Sequence, residues 1–266
     1  MRRFVIALTI AASVLASLVA AEVNDREIIR KFAEKESQFR DIFAKYTYKQ
    51  KIEFEVLDDF DRVREQQNMV IEIYFTTDGT RQTRVLMERG KLRSLRVTKE
   101  DLQDAVGLEP FVLTTEELPE YQIDYEGPER VDELDTYVFE VEPHEIKKGR
   151  RYFKGKIWVD TTDLQIVMAK GKAIPDLGDN KFPRFETRRE QIDGKYWFPT
   201  WTMADDILSF GRGFERHEVH VRSLTTYEDF KKFEVETNIK FGKPQGVEEK
   251  PQEKPQEKPP QEKPQN

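Results

Sequence analysis

Cysteine is absent from the 266 residues. That excludes disulfides, metal–thiolate sites, a cysteine nucleophile and lipid attachment at an N-terminal cysteine. A chain of this length can carry one core without such staples. Histidine is scarce: His144, His217 and His220. His217-Glu218-Val219-His220 has the wrong spacing for two metal ligands on a helix, which need i and i+4. On a strand, positions i and i+3 point to opposite faces. No serine stands in a Gly-x-Ser-x-Gly elbow. Phe210-Gly211-Arg212-Gly213-Phe214 lacks the third glycine of a phosphate loop and reads as a hairpin turn. Asp58, Asp59 and Asp61 cluster in an expected loop, with too few ligands for calcium. With 36% of residues charged, picking two carboxylates as acid and base would be arbitrary. The expectation is a protein that is not an enzyme and uses no cofactor and no metal.

Long apolar runs are missing too, except at the start. Arg2 and Arg3 precede the run Phe4–Val19, and Val19-Ala20-Ala21 offers small residues for a peptidase. This is the pattern of a signal peptide over residues 1–21, and a membrane anchor would want a slightly longer run. A periplasmic location is expected. Excess positive charge is also lacking. The net charge is −7, and losing Arg2 and Arg3 takes it to −9 (−7 − 2). That argues against a nucleic-acid partner, since phosphate binding needs a basic face. It also argues weakly against broad adsorption to anionic membranes. From Lys243 to Asn266, Glu-Lys-Pro-Gln recurs four times, once with an extra Pro. With nothing apolar to bury, residues 243–266 are expected to be a disordered tail of polyproline-II character.

Between these ends the hydrophobic pattern has two periods. Asn24 and Asp25 can cap a helix running to about Tyr46, with Ile28, Phe32, Phe39, Phe43 and Tyr46 on one stripe. The pattern then alternates. Tyr48, Ile52, Phe54 and Val56 share one face, and Met69, Ile71, Ile73 and Phe75 repeat this after a turn. Thr77-Asp78-Gly79-Thr80 signals a hairpin, with Val85 and Met87 on the return strand. Thr98 to Gly107 reads as a short helix with an acidic residue at its third position. Further strands are expected at Tyr121–Tyr125, Thr136–Glu142, Tyr152–Asp160, Leu164–Ala173, Arg184–Ile192, Lys195–Ala204, Glu215–Leu224 and Phe233–Phe241. Short turns imply antiparallel neighbours. The fold class is therefore α+β, mostly β: one curved antiparallel sheet of about ten strands. An N-terminal helix and a short second helix cover its concave face, in one domain over residues 22–242.

So wide a sheet with two helices to cover it suggests an apolar cleft. Its expected lining is Phe32, Phe39 and Phe43 from the helix, opposite Ile52, Phe54, Val56, Ile71, Ile73, Phe75, Val85 and Met87.

Several segments resemble a known family in order and texture over about residues 22–242. They are the signal peptide, the helix Asp25–Tyr46 leading into strand Tyr48–Val56, and the strands GKIWVDTTDLQIVMAKGKA. Asp193-Gly194-Lys195-Tyr196-Trp197-Phe198-Pro199 and the closing TYEDFKKFEVETNIKF complete the set. The chain is similar to the bacterial outer-membrane lipoprotein-sorting proteins, the LolA/LolB-like half-barrels. The resemblance implies an incomplete barrel of about eleven strands closed off by helices. It implies a cavity for acyl chains and a periplasmic carrier role, with lipids or lipoproteins as cargo and inner- or outer-membrane transport proteins as possible partners. The alternative is a periplasmic sensor or protein-interaction module on the same half-barrel.

Overall fold

The computed structural model describes residues 24–176, 184–210 and 217–233. The signal peptide, the Gly211-Arg212-Gly213 turn, the strand expected beyond Phe233 and the tail lie outside the described residues.

Helix α1 (Asp25–Phe43) is followed by strands β1 (Tyr46–Leu57), β2 (Val63–Phe75) and β3 (Arg81–Gly90). Helix α2 (Lys99–Gly107) and a 3-10 turn (Leu118–Glu120) come next. Seven strands complete the chain: β4 (Tyr121–Val131), β5 (Leu134–Pro143), β6 (Tyr152–Asp160), β7 (Ile166–Ile174), β8 (Arg184–Gln191), β9 (Trp197–Phe210) and β10 (His217–Lys232). They form one ten-stranded sheet in the order β3-β2-β1-β10-β9-β8-β7-β6-β5-β4. Every pairing is antiparallel, and among the described residues β3 and β4 are the two edge strands. This is the open, mostly-β half-barrel with two helices that the hydrophobic periods imply.

The local reasons are visible at each end of α1. Asn24 Oδ1 accepts the Glu27 backbone N–H at 3.2 Å, and Asp25 and Glu27 complement the helix dipole in the first turn. The helix stops at Phe43, three residues before the sequence expectation. Tyr46 instead starts β1 opposite Lys232, because joining the sheet satisfies its backbone better than one more exposed helical turn. Helix α2 has the capping box its sequence suggests. Thr98 accepts the Asp101 N–H at 3.2 Å, and Asp101 accepts the Thr98 N–H at 2.8 Å.

The convex face is laced with cross-strand ion pairs such as Lys49–Asp229, Lys51–Glu228, Lys156–Glu126 and Arg222–Glu55. Exposed pairs contribute little stability each, about 0–1 kcal/mol, but they keep this face wet. The concave face carries the larger core, and Val138, Trp158, Val167 and Met168 form a smaller buried cluster apart from it. Helix α1 crosses the concave face, placing Phe32 on Phe139 (5.4 Å), Phe39 on Phe198 (5.5 Å) and Phe43 on Tyr48 (5.1 Å). Between Phe32 and Phe39 sits Glu36, fully buried. Its carboxylate takes two 3.1 Å bonds from Arg189 and one 3.0 Å bond from the Ile166 N–H. The Arg189 guanidinium also donates to the Phe111 carbonyl and lies 4.8 Å from the Phe39 ring centroid. This pair pins α1 to β7, β8 and the segment after α2.

Farther along, Gly155 and Gly171 face each other across β6 and β7. A Cβ on Gly155 would stand 2.3 Å from the Lys170 carbonyl oxygen, and one on Gly171 would meet the Phe153 ring at 2.7 Å. The missing side chains let Phe153 lie down and stack on Phe111 at 4.3 Å.

Candidate functional site

The eleven residues of the expected cleft do not line one open space. Phe32, Phe39, Ile52, Phe54, Val56, Ile71 and Ile73 are buried, and Leu92, Leu95, Ala105 and Leu113 fill in among the core cluster most of them share. Phe39 belongs to a separate cluster with Tyr196 and Phe198. Phe75 is half-buried and stacks on Phe233 at 4.3 Å. Val85 lies on the edge strand β3 and is 51% exposed. Met87 does not share its face. The β2–β3 register slips between Val70 and Ile71, so Val85 pairs with Ile71 but Met87 pairs with Val70. A one-residue slip turns a side chain to the other side of the sheet, and Met87 joins the convex side.

The open space lies one layer outward, where the half-barrel gapes. A cavity of about 430 Å³ spans the two margins of the sheet. Phe43, Tyr48 and Arg81 line it from one margin, Tyr121, Arg150 and Tyr152 from the other, and Val106–Leu108 with Pro110–Val112 from the segment that ends α2. A second groove of about 310 Å³ runs between β3 and α2, walled by Ile71, Val85, Leu102 and Val106 with Arg84 and Lys99 at its rim. The two spaces share Val106 and Gly107. Phe43, Ile71 and Val85 are thus the expected cleft residues that reach open space. Tyr48 carries an inward-face signal in the sequence. Tyr121 opens β4, where a strand is expected, whereas Leu108 and Phe111 carry no signal because a connection rather than a periodic element brings them in.

The walls are aromatic and the mouth is cationic. Burial pushes the Tyr121 phenol up to about 12, and raises Tyr48 as well against the opposing Arg81 charge, so both stay neutral. Arg40, Arg81, Arg150 and Arg151 line the cavity, against one carboxylate, Glu117. Three of these cations are paired: Arg40 with Glu116 at 2.9 Å, Arg150 with Glu120 at 2.6 Å, and Arg151 with Asp104. Between the cavity-lining Leu108 and Pro110, Glu109 is buried with its Oε2 unpartnered among the described residues. Desolvation, then the nearby Asp104 and Asp101 charges, push its carboxyl up to about 8. It is therefore a neutral acid at pH 7. Nothing in this arrangement pairs a nucleophile with a base. What it offers is apolar surface with a charged entrance.

The histidines sit on or beside the sheet. His217 stacks on Phe210 at 5.5 Å, and His220 lies between Asp205 (2.7 Å) and Asp61 (3.4 Å). Asp58, in the β1–β2 turn, is held down to about 2 by its hydrogen bond from Arg62.

No family model and no curated protein matches this chain. Among solved structures it is similar to a DUF1329 family protein from Desulfovibrio piger (13% identity, TM-score 0.38, covering 79% of this chain and 97% of that one). It is also similar to a LolA superfamily protein from Nitrosomonas europaea (14%, 0.38, 79% and 94%). An outer membrane lipoprotein-sorting protein domain from Vibrio parahaemolyticus is a third (12%, 0.35, 78% and 93%). The second and third carry the name of the lipoprotein-sorting family that the sequence resembles. The likeness is one of fold.

Proposed function

We propose that this protein is a periplasmic carrier that holds acyl chains of lipids or lipoproteins in the cavity between the sheet margins. The observation behind this reading is the cavity itself, about 430 Å³ and walled by Phe43, Tyr48, Phe111, Tyr121 and Tyr152. That volume is within the usual range for small-molecule sites, roughly 300–1,000 Å³. Each CH₂ moved from water to such walls gains roughly 0.8 kcal/mol, so about ten carbons would outweigh the ordering costs. The signal peptide at residues 1–21 would deliver the protein to the compartment where such cargo travels, and the aromatic walls ask for no chemistry. A carrier that is not an enzyme fits best.

Titration of delipidated protein with a fluorescent fatty-acid analogue tests this reading. Saturable binding is expected, and its absence would refute the carrier role. A second reading, a module that captures a protein partner, draws support from the edge strand β3, where Val85 and Leu86 are half exposed. Native mass spectrometry of the purified protein separates the two: bound lipid favours the carrier, and protein capture without lipid favours the module.

A further inference from the structure

Resting on the acyl-chain reading, we propose that the cavity selects chains with an anionic headgroup, a carboxylate or a phosphate, and that Arg81 is the headgroup ligand. Three observations converge on this. The first is the pairing at the mouth: Arg40, Arg150 and Arg151 are each held by a carboxylate, which leaves Arg81 as the cation there without one among the described residues.

The second is the state of Arg81. Its guanidinium lies over the rings of Phe43 (5.9 Å) and Tyr48 (5.6 Å) and makes only a long 3.4 Å bond to the Tyr48 hydroxyl. It stands over two aromatic walls through these π contacts, with most of its donors unspent. A planar guanidinium in that position suits the two oxygens of a carboxylate or phosphate. The third is Tyr152. It lines the same cavity, is 1% exposed, and its hydroxyl has no hydrogen-bond partner among the described residues. A buried O–H without a partner is costly, and a ligand oxygen would satisfy it. An anionic amphiphile supplies both halves: a chain for the aromatic walls, and oxygens for Arg81 and Tyr152.

The test uses delipidated full-length protein and four competitors of equal chain length against a fluorescent fatty-acid analogue. They are a fatty acid, an alkyl phosphate, a fatty alcohol and an alkyl trimethylammonium; inorganic phosphate is the fifth competitor. The acid and the alkyl phosphate should compete at least about tenfold better than the alcohol, as a charge-assisted bond allows. Inorganic phosphate should not compete. Arg81→Gln should erase that difference by weakening the acid and the alkyl phosphate more than the alcohol, with the melting temperature read alongside as the check on folding. Tyr152→Phe should weaken oxygen-bearing ligands a few-fold without unfolding the core. Equal affinity of acid and alcohol would overturn the proposal, as would an Arg81→Gln variant that weakens all ligands alike. Competition by inorganic phosphate alone would show an anion site with no acyl selectivity. Failure of every acyl probe to bind would instead refute the carrier reading beneath it.

Discussion

Replacing Glu109 with Gln should stabilise the protein above pH 7 and change little at pH 4. Glu109 is buried with an unpartnered carboxyl oxygen, and its carboxyl is pushed from 4.5 up to about 8. The sign follows from proton counting. Between pH 4.5 and 8 the folded protein keeps this proton and the unfolded chain has lost it. The folded state then binds one more proton, so stability falls as pH rises. The contribution is fully present below the unfolded pKa and lost by the time pH passes the folded one. A shift from 4.5 to about 8, at 1.36 kcal/mol per unit, sets a ceiling of roughly 5 kcal/mol. Relaxation around the ionised group should leave roughly 2–4 kcal/mol of it. Urea denaturation of wild type and Glu109→Gln at pH 4.5, 6, 7.5 and 9 gives the difference directly, with all other titrations common to both. The gap should open in favour of Gln across that range. Parallel stability curves would refute the claim that Glu109 is a neutral, desolvated carboxyl in the folded protein.

Three further substitutions probe how the half-barrel is held. Arg189→Met strands the buried Glu36 carboxylate and should cost about 3–5 kcal/mol, while Glu36→Leu with Arg189→Met should recover most of it; thermal denaturation decides. Gly155→Ala sets a Cβ 2.3 Å from a backbone carbonyl and should cost about 3 kcal/mol through forced separation of β6 and β7, seen as a lower denaturation midpoint. Thr98→Ala removes the cap of α2 and should cost about 1 kcal/mol, with faster amide exchange in α2 as the local readout.

Much of the fold was legible because each strand carries its own period. Tyr48, Ile52, Phe54 and Val56 alternate against charged neighbours and all face the core. Thr77-Asp78-Gly79-Thr80 forms the β2–β3 turn with Gly79 at φ +82°, where a side chain would be strained. The exceptions have physical reasons. Met87 keeps the alternation in sequence, but the slip beside Val70 reverses its face in space. Glu36 was legible in principle: it follows Phe32 by four residues and precedes Phe39 by three, on the apolar stripe itself. A carboxylate there needs a buried cation, and no local signal says that Arg189, far along the chain, supplies it. The cavity was the least legible part. It is the gap left between two sheet margins and the connection after α2, so it has no period of its own.

The central claim, that this gap is a binding site and not packing left incomplete, has one direct test. Gly107 lines both the aromatic cavity and the β3–α2 groove, and a Cβ placed on it meets nothing within 4 Å. Gly107→Trp should therefore set an indole at the border of both spaces with no clash at its Cβ, and removing a helical glycine should help the fold. The measurement is acyl-probe affinity together with the melting temperature for delipidated wild type and this variant. Saturable binding by wild type, lost by at least about tenfold in a variant melting within about 3 °C of it, is the predicted result. Unchanged affinity in a well-folded Gly107→Trp protein would contradict it.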